Sequence, residues 1–488
     1  MVSARSTAQR RNGRETHVHF IGIGGSGLSA IARFLLEQGY RVSGSDRALS
    51  PLAAELRAEG VQVSVGHTPE NVAGADWVVR SSAIPDDNPE VLAAQAANIP
   101  VYKRADFLGH LMAWPEKDGI AIAGTHGKTT TTAILAWILS QLGADPSFII
   151  GGVSQNFGVN AHAGQGRPFI IEADEYDRMF LGLQPRYAVI TNIEHDHPDI
   201  YPTAKEFNDA FSAFARLVPE NGALIISAED MGAAALAAEC RAMGKRVIGY
   251  RIAGNENTEQ GEWVLAQNVM ANAQGGFTFN ALIRLHSGSY TIPAVQLRLP
   301  GLHNVRNALA ALGVAGVMGF DLQAAAKALA TFKGTARRFE ITGEAAGVTV
   351  IDDYAHHPTA IRATLDAARA RYPTKRIWAV WQPHTYSRTQ TLLNDFAESF
   401  GEADEVIVSE VYASREPKQD FSAQKVVKAM VRDSAHFIPT LAEISTYLIS
   451  QLKPGDVLIV MSAGDADQVS AQVLAQLQNT QNTLHKVR

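Results

Sequence analysis

Short apolar runs alternate with longer amphipathic stretches along almost the whole chain. Runs of a few β-branched and other apolar residues, bounded by glycine or polar residues, are typical of strands buried in parallel sheets. The stretches between them carry apolar residues at helical spacing. This order recurs from His17 to Met461, so the pattern predicts an α/β protein in which helices cover parallel sheets.

The first predicted unit covers residues 17–116. Its predicted strands and first helix are His17–Ile21, Arg41–Ser45, Trp77–Arg80 and Leu28–Gln38. Trp114–Gly119 is polar and rich in turn-forming residues, and we interpret it as the linker to the next unit. Residues 1–16 are polar and basic without an apolar run, so we expect a disordered tail rather than a signal peptide.

The second predicted unit covers residues 117–333. A short buried-strand pattern at Ile120–Ala123 leads directly into a glycine-rich loop and a helix. Its further predicted strands and helices are Phe169–Ile171, Ala188–Thr191, Thr129–Leu142 and His303–Ala315. Between Gly261 and Leu299 the apolar positions alternate in short runs, which predicts a small antiparallel appendage.

The third predicted unit covers residues 334–488. Its predicted strands are Val348–Ile351, Ile377–Trp381, Glu405–Ser409 and Val457–Met461. The same strand–helix pattern as in the other units predicts another α/β domain. The chain shows no internal repeat beyond this pattern.

The composition is that of a soluble globular enzyme with several domains. The chain has 488 residues, of which 46% are hydrophobic and 19% charged. The net charge of −6 gives no general attraction to nucleic acid or anionic membranes. The single cysteine, Cys240, excludes an intramolecular disulfide and fits a reducing compartment. No apolar run approaches the roughly 20 residues of a membrane-spanning helix.

The first glycine-rich loop is Ile21–Gly27 (IGIGGSG), between a predicted strand and a predicted helix. Its glycines let the backbone approach a pyrophosphate, and the helix N terminus supplies amide donors. Asp46 lies nineteen residues after Gly27, where dinucleotide-binding folds place a ribose-binding acid. The loop therefore predicts a nucleotide site, with NAD as one candidate ligand.

The second glycine-rich loop is Gly124–Thr132 (GTHGKTTTT), which ends like a phosphate-binding loop. In such loops the lysine, here Lys128, binds the β- and γ-phosphates, and the next hydroxyl, that of Thr129, reaches Mg²⁺. Gly124 stands four residues before Lys128 instead of six. The loop is thus either a shortened phosphate loop or a coincidence, and its position between a buried strand and a helix favours ATP binding.

Two strands of the second unit end in carboxylates and histidines. Glu172 belongs to IIEADEYD after one strand, and His197 belongs to TNIEHDHPD after the next. Parallel sheets bind ligands at the carboxyl ends of their strands, and Mg²⁺ beside a phosphate loop needs one or two carboxylate oxygens. The histidines of the second string also fit a zinc site or a γ-phosphate contact. We therefore expect a metal or phosphate site at this edge.

Two polar strings follow strands of the third unit, IDDYAHHPTA at 351–360 and VWQPHTYSRTQ at 380–390. They carry Asp352, Asp353, Tyr354, His356, His357, His384 and Arg388. Both strings lie at carboxyl ends of strands, so we expect a polar site that faces the ATP-binding unit on domain closure. The pair Arg337-Arg338, at the start of this unit, is a candidate clamp on the γ-phosphate.

These strings, taken in order, resemble the Mur ligase family over about Val18–Asp465. The strings that carry the resemblance are IGIGGSG, SGSD, SSAI, GTHGKTTT, EADE, NIExDH, HNxxNAxAA, RRF, DDYAHHP and QPHxYSRT. The resemblance implies three domains. They are a Rossmann-like N-terminal domain for the UDP part of the substrate, a P-loop-type central ATPase domain with a parallel sheet, and a Rossmann-like C-terminal domain for the amino acid.

The resemblance also implies roles for individual residues. The implied substrate contacts are Gly24, Gly25, Ser26, Gly27, Asp46, Asn160, Tyr354, His384 and Arg388. The implied ATP contacts are Gly124, Thr125, His126, Gly127, Lys128, Thr129, Thr130, Asn304, Asn307, Arg338 and Asp353. The implied metal ligands are Thr129, Glu172 and His197, and the implied catalytic residues are Lys128, Glu172, His197, Arg338 and His384.

The implied activity is ATP-dependent ligation of L-alanine to the carboxylate of UDP-N-acetylmuramate through an acyl phosphate, the first peptide-forming step of peptidoglycan precursor synthesis. The implied cofactors are ATP and Mg²⁺. We expect a cytoplasmic monomer or homodimer with small-molecule substrates, without a nucleic-acid partner and without membrane insertion.

The sequence is also compatible with three different functions. Thr385 stands where the alanine-adding members usually carry arginine, which leaves Arg388 as the main candidate for the amino-acid carboxylate. The string EADEYD resembles the members that recycle a murein tripeptide as much as the alanine-adding ones. Tripeptide recycling is therefore the first of these functions. The second is that of an NAD(P)-dependent oxidoreductase built on the first glycine loop, and the third is that of a non-catalytic UDP-sugar sensor.

Overall fold

The computed structural model describes residues 16–114, 116–253, 261–414 and 416–487. It confirms the predicted α/β class, because three sheets, each with parallel strands at its centre, follow one another along the chain. The predicted tail lies outside the described residues except for Thr16. The predicted domain limits at residues 116 and 333 stay predictions. Within the described part of the chain, no helix has the length and apolar character needed to cross a bilayer.

The first sheet is five-stranded and parallel, in the order β3-β2-β1-β4-β5. Its elements are β1 (His17–Ile21), α1 (Ser26–Glu37), β2 (Arg41–Asp46), α2 (Pro51–Ala58), β3 (Gln62–Val65), β4 (Trp77–Arg80), α3 (Pro89–Ala96), β5 (Val101–Lys103) and α4 (Arg104–Met112). The central strand β1 leads into the first glycine loop, and the neighbouring strands continue in opposite directions across the sheet. This switch point is where α/β sheets bind ligands.

The second sheet has ten strands, in the order β15-β14-β13-β12-β11-β10-β6-β9-β7-β8. Its elements are β6 (Asp118–Ala123), α5 (Lys128–Gln141), β7 (Ser147–Ile149), β8 (Ala161–His162), β9 (Pro168–Glu172), β10 (Tyr187–Ile190), α6 (Ala204–Arg216), β11 (Ala223–Ser227), α7 (Met231–Ala242), β12 (Val247–Ile252), β13 (Glu262–Ala271), β14 (Phe277–Leu285), β15 (Gly288–Leu297), α8 (Leu302–Val317) and α9 (Leu322–Leu329).

Strand β6 lies between β9 and β10 and is parallel to both. Glu172 at the end of β9 is level with Ile122, and Ile190 at the end of β10 is level with Ala123. The loops after β9 and β10 therefore flank the loop after β6. This register brings the carboxylate and histidine strings beside the phosphate loop.

The predicted antiparallel appendage is part of the second sheet. Strands β13, β14 and β15 are antiparallel to one another, as the alternating pattern predicts. However, β13 also pairs with β12 in parallel, so the three strands extend the sheet and do not form a separate unit. Without β13, β12 would be an edge strand with a row of unpaired backbone donors and acceptors, and pairing with β13 satisfies these groups.

The third sheet has six strands, in the order β16-β17-β21-β18-β19-β20. Its elements are β16 (Glu340–Ala345), β17 (Val348–Asp353), α10 (Pro358–Arg371), β18 (Ile377–Trp381), α11 (Tyr386–Thr391), α12 (Leu393–Ala397), β19 (Glu405–Val408), α13 (Gln424–Ala429), β20 (Ala435–Phe437), α14 (Leu441–Gln451), β21 (Val457–Met461) and α15 (Asp467–Val487). Strand β21 separates β17 from β18, and the two polar strings start at the same edge of the sheet.

The first two domains share one apolar core, which runs from the first sheet through α1 to β9. Phe34 of α1 stacks on Phe169 of β9 with ring centroids 5.2 Å apart. Beside this stack the buried Arg33 donates to the side-chain oxygen of Asn160, 3.1 Å away. The third domain has its own two cores, one on each face of its sheet.

Candidate active site

One cavity of about 1460 Å³ lies where the carboxyl-terminal edges of the three sheets meet. It is larger than the roughly 300–1,000 Å³ of an ordinary small-molecule site, so it has room for more than one substrate. The predicted site residues that line it are Gly25, Gly27, Thr125, His126, Gly127, Lys128, Thr129, Thr130, Glu172, His197, Asn304, Asn307, Arg338, Asp353, Tyr354, His384 and Arg388.

The first glycine loop is held against the end of β2. The backbone N–H groups of Gly22 and Ile23 donate to the carbonyl oxygen of Ser45, at 2.8 and 3.1 Å. Asp46 accepts a hydrogen bond from Gly24 N at 2.8 Å, and a Cβ on Gly24 would lie only 2.6 Å from Ser50 Oγ. In the described structure Asp46 and Gly24 are outside the cavity lining, so this geometry gives Asp46 a loop-holding role and does not support a uridine contact.

The rest of the loop opens into the cavity. Ser26 is the first residue of α1, and Gly25 and Gly27 line the cavity. Arg104, at the start of α4, covers Gly27 so closely that a Cβ on Gly27 would collide with its guanidinium. Arg104 also lies 3.5 Å from the carboxylate of Asp174 in the second domain. Arg104 lies in no recognisable sequence motif, so this cation of the site was not predicted.

The second glycine loop needs backbone that only glycine adopts easily. Gly124 and Gly127 have φ values of +133° and +86°. A Cβ on Gly127 would also lie 2.7 Å from the side-chain oxygen of Asn307. Helix α5 begins at Lys128 without a side-chain cap, so its first amide groups point into the loop without a side-chain acceptor. Such an N terminus favours phosphate.

Lys128 is paired with a carboxylate that the motif alone does not reveal. Its ammonium donates to both oxygens of Glu175, at 2.9 and 2.7 Å, and Glu175 is only 2% exposed. Burial alone lowers the pKa of Lys128, but the carboxylates of Glu175 and Asp174 outweigh it and raise the pKa. The lysine therefore stays charged, and Glu175 holds it beside the loop. Glu175 belongs to the predicted EADEYD string, three residues after Glu172.

Thr129, Glu172 and Arg338 form one of the contacts between the second and third domains. The Thr129 hydroxyl donates to Glu172 at 3.2 Å, and the Arg338 guanidinium donates to the same hydroxyl oxygen at 3.3 Å. Gly151 N donates to the other oxygen of Glu172 at 2.5 Å. Burial raises the pKa of the Glu172 carboxyl. Arg338 also lies over the ring of Tyr354, 4.8 Å from its centroid.

His197 is beside Glu175 and not beside Thr129. Its Nε2 atom lies 3.6 Å from a Glu175 oxygen and 3.7 Å from an Asp196 oxygen. Burial lowers the pKa of His197, and these carboxylates outweigh it and raise the pKa. Thr129 and Glu172 thus form one group of predicted metal ligands, and His197 lies in a neighbouring group with Glu175.

The asparagines of α8 face the phosphate loop. Asn304 donates to Pro300 O at 2.7 Å, and Asn307 donates to the side-chain oxygen of Asn304 at 3.1 Å. This pair is buried and lines the cavity, and its contact with adenine stays a prediction. The neighbouring His303 also lines the cavity, and burial lowers its pKa to about 4, so the ring is neutral.

Asp353 uses both of its oxygens for backbone contacts. One accepts from Ala355 N and the other from Phe339 N, each at 2.7 Å. Thr364 is a further hydrogen-bond partner, and a carboxylate has about four acceptor sites, so a ribose hydroxyl can still donate to Asp353. The carboxylate thereby fixes the chain around Arg338 as well as facing the cavity.

Arg388 is bound by a carboxylate of the second domain. Its guanidinium donates to Asp196 at 2.9, 3.0 and 3.1 Å, and both residues are buried. Burial opposes ionisation of Asp196, but the charge of Arg388 outweighs it and holds the pKa well below the usual range. The remaining Nη1 atom lies 3.4 Å from Nδ1 of His384. Arg388, the predicted contact for the amino-acid carboxylate, is therefore already paired with Asp196.

Asn160 does not reach the cavity. Its side-chain oxygen accepts from Arg33, and its backbone oxygen accepts from Ile150 N at 2.8 Å. The side chain is buried between the first two domains. This position explains a structural role for Asn160, and it does not support the predicted substrate contact.

Several residues that line the cavity have left-handed backbone although they carry a side chain. His197, Arg337 and Thr385 have φ values of +55°, +55° and +68°. Such conformations cost about 1–3 kcal/mol each and persist where the surrounding structure fixes them. Thr385, the departure from the arginine of similar chains, lines the cavity with this backbone.

Known protein families match all three domains. Residues 17–114 match the domain described as "Mur ligase family, catalytic domain", residues 122–315 the "Mur ligase middle domain", and residues 337–464 the "Mur ligase, glutamate ligase domain". The UDP-N-acetylmuramate–L-alanine ligase of Alkaliphilus metalliredigens is 41% identical over 462 residues, covering 94% of this chain and 97% of that protein. The ligase of the same name from Chloroflexus aggregans is 43% identical over 479 residues, covering 96% and 99%.

Solved structures match the same architecture. The UDP-N-acetylmuramate–alanine ligase of Thermotoga maritima superposes with a TM-score of 0.77 at 29% identity, covering 95% of this chain and 99% of that one. A murein peptide ligase of Psychrobacter arcticus superposes with a TM-score of 0.68 at 27% identity, with the same coverage. Similarity to both extends over all three domains.

Proposed function

The chain belongs to the Mur ligase family, and from this we infer that its cavity joins L-alanine to UDP-N-acetylmuramate at the expense of ATP. The family consists of ATP-dependent ligases, and small molecules are its substrates. Relatives that carry the name of this reaction match nearly the whole chain, which supports the alanine-adding activity over tripeptide recycling and over hydride transfer.

The hydrogen bond from Arg338 to Thr129 supports this function best. It places a cation of the third domain against the phosphate loop of the second. The first glycine loop opens into the same cavity through Gly25 and Gly27. A nucleotide-linked substrate, a triphosphate and a third ligand can thus meet in one space, as a three-substrate ligation requires.

We propose that Lys128 and Arg338 stabilise the phosphoryl group during carboxylate activation. A carboxylate and an ammonium do not condense in water, so a lactyl carboxylate oxygen first attacks the γ-phosphorus, ADP leaves and an acyl phosphate forms. Positive groups aimed at the transferring oxygens lower this barrier. Lys128 already lies beside the loop as a cation, and we propose that the phosphates replace part of its contact with Glu175.

We propose that the amine of L-alanine then attacks the acyl carbon. The amide bond forms, the carbon–oxygen bond to phosphate breaks, and one proton leaves the nitrogen. His384 is the candidate to accept this proton, and Arg388 beside it is the candidate for the α-carboxylate. In the third domain Tyr354 lines the cavity beside Arg338.

The donors of Thr129 and Glu172 suit Mg²⁺. Their oxygens lie side by side at 3.2 Å, and Mg²⁺ prefers carboxylate and hydroxyl oxygens. We propose these two as ligands, with His197 as a third ligand once its contact with Glu175 is exchanged. The ion when bound neutralises charge on the phosphates.

We also propose a cytoplasmic monomer or homodimer. Both ATP and the nucleotide sugar are cytoplasmic metabolites in the expected reaction, and the single cysteine is buried and fits a reducing compartment.

An ADP-release assay with the full chain tests this function. UDP-N-acetylmuramate is combined with L-alanine, glycine, L-serine or the tripeptide L-Ala-D-Glu-diaminopimelate. We expect ADP only when the sugar nucleotide and L-alanine are both present. Turnover with the tripeptide instead of L-alanine would indicate the recycling activity, and ADP release without either acceptor would refute ligation altogether.

A further inference from the structure

We propose that His126, Glu194 and His357 form a binding site for a transition-metal ion such as Zn²⁺, separate from the proposed Mg²⁺ ligands. The three residues come from the phosphate loop, from the loop after β10 and from the residue before α10. An ion held by them would join the second domain to the third. Its binding does not depend on the proposed reaction.

The three side chains already surround one point. His126 Nε2 lies 2.9 Å from a Glu194 oxygen, and His357 Nδ1 lies 3.9 Å from the same oxygen. One nitrogen or oxygen of each residue lies within 4.8 Å of the others. In a tetrahedral zinc site with bonds of about 2.0–2.1 Å, ligand atoms lie about 3.4 Å apart. Small side-chain shifts therefore suffice to bring all three onto one ion.

His357 supplies an independent reason for a ligand. Its side chain is 3% exposed, and neither ring nitrogen has a hydrogen-bond partner among the residues that the structure describes. A buried polar group without a partner costs free energy, and such groups are rare in folded proteins. A metal ion between His357 and Glu194 would satisfy one nitrogen of this ring.

Glu194 is oriented for this role from outside the cluster. The hydroxyl of Thr359 donates to its Oε1 atom at 2.6 Å, which leaves Oε2 as the atom that faces both rings. Partners of this kind fix the ligating atom of a carboxylate in metal sites. The proposed site therefore has three ligands, and Thr359 holds one of them, Glu194, in position.

The donor set selects the class of metal. Two imidazoles with one carboxylate are typical zinc ligands, with a fourth position left for water. Mg²⁺ prefers a majority of oxygen ligands, so a site with two imidazoles and one carboxylate makes it a weak competitor here. Since the ion would attach His357 of the third domain to His126 of the phosphate loop, we expect it to hold these domains together.

Zinc titration of the chelator-treated full chain tests the site. Zn²⁺ competes with a chromophoric chelator in the presence of excess Mg²⁺, and Co²⁺ replaces it for visible absorption. We expect one equivalent to bind, with a Co²⁺ spectrum of low coordination number and a rise in melting temperature. His357→Asn should weaken binding at least about tenfold and remove the spectrum.

His162→Asn is the matched control, because His162 also lies beside two carboxylates, Glu37 and Asp145, but is 43% exposed. It should leave Zn²⁺ affinity unchanged. Glu194→Gln is a second test variant in case His357→Asn does not fold, as judged by circular dichroism. Unchanged affinity in a folded His357→Asn or Glu194→Gln protein, or a loss confined to His162→Asn, would overturn the site.

Discussion

The two glycine loops have the same local structure but different charges around them. Each follows a strand that is parallel to both of its neighbours and leads into a helix, β1 to α1 and β6 to α5. The first loop is fixed by Asp46, a carboxylate that contacts backbone. The second is surrounded by Lys128 and Glu175, whose charges face the cavity. The shared fold provides a phosphate cradle in both places, and the charges decide which chemistry each one supports.

A buried carboxylate near each loop shows the difference. Glu90, behind the first sheet, accepts hydrogen bonds from Ser45 at 2.6 Å and from Asn71 at 2.6 Å, and it lies 3.2 Å from His19. Glu175, beside the second loop, accepts from an ammonium. Neutral donors inside a domain hold a strand end in place, whereas a paired cation at a cavity wall can exchange its partner for a ligand.

Lys128→Met should have the largest effect, because it removes the charge that distinguishes the second loop from the first. We expect kcat to fall by roughly 10²–10³-fold or more, because the cation that stabilises the transferring phosphoryl group is lost. Affinity for UDP-N-acetylmuramate should stay the same, since its diphosphate is predicted at the other loop. ADP-release kinetics and calorimetric titration of the nucleotide sugar measure these two quantities.

Two control variants separate catalysis from stability. Lys205→Met removes an exposed lysine paired with Asp209 and should change nothing. The double variant Lys128→Met, Glu175→Gln should regain melting temperature over Lys128→Met, because no buried carboxylate is left unpaired. If turnover returned together with stability, Lys128 would have only a structural role.

A glycine-to-alanine change should have different effects on stability and on nucleotide binding in the two loops. At Gly127 the positive φ and the 2.7 Å approach to Asn307 predict a loss of about 1–2 kcal/mol in unfolding free energy and a higher KM for ATP. At Gly25 the φ is −74° and the nearest atom to a Cβ is 3.5 Å away. Gly25→Ala should therefore keep its stability and raise only the KM for UDP-N-acetylmuramate.

Denaturant unfolding and steady-state kinetics of the two variants provide the measurement. Each variant is the other's control, because both add one methyl group to a glycine loop. An equal rise of both KM values in both variants would show that the loops do not divide the two nucleotides between them.

Glu90→Gln should give the smallest effect, and one that depends on pH. Burial opposes ionisation of Glu90, but contacts with His19, Asn71 and Ser45 outweigh it and lower the pKa. A lowered folded pKa stabilises the protein above the unfolded pKa and loses this effect as pH falls through the folded pKa. The variant should therefore lose about 1–3 kcal/mol at pH 7 and less at pH 3–4.

Urea unfolding across this pH range, with exposed Glu220→Gln as a control, checks the expectation. A stability difference that stays constant from pH 7 to pH 3 would mean that the charge of Glu90 does not stabilise the fold. Turnover at pH 7 should remain close to that of the unchanged protein, since Glu90 is behind the sheet.

The central strands were predictable because they are buried on both faces. The strands β1, β4, β18 and β21 begin and end at the predicted residues. Edge strands such as β5 and β20 have three residues each and are half-buried or exposed, so no apolar run reveals them. The antiparallel strands were predicted in kind, but their pairing with β12 depends on long-range contacts that periodicity does not contain.

The residues of the candidate site were likewise predictable only in part. Lys128, Thr129 and Glu172 were predictable from motifs at strand ends, because the order of strands places these ends together. Three ion pairs of the site were not predictable, because Glu175 with Lys128, Asp196 with Arg388 and Arg104 with Asp174 join segments that are distant in sequence. Asp46 and Asn160 contact Gly24 and Arg33 in the structure, and their predicted contacts with substrate stay predictions.

The stack of Phe34 on Phe169 has a consequence for motion. A shared core of this kind opposes independent rotation of the first two domains, and we expect them to move as one body. The binding surfaces for the nucleotide sugar and for ATP then keep a constant separation throughout the cycle. We therefore expect admission of the third reactant and escape of products to depend on displacement of the third domain, whose rate would then limit turnover.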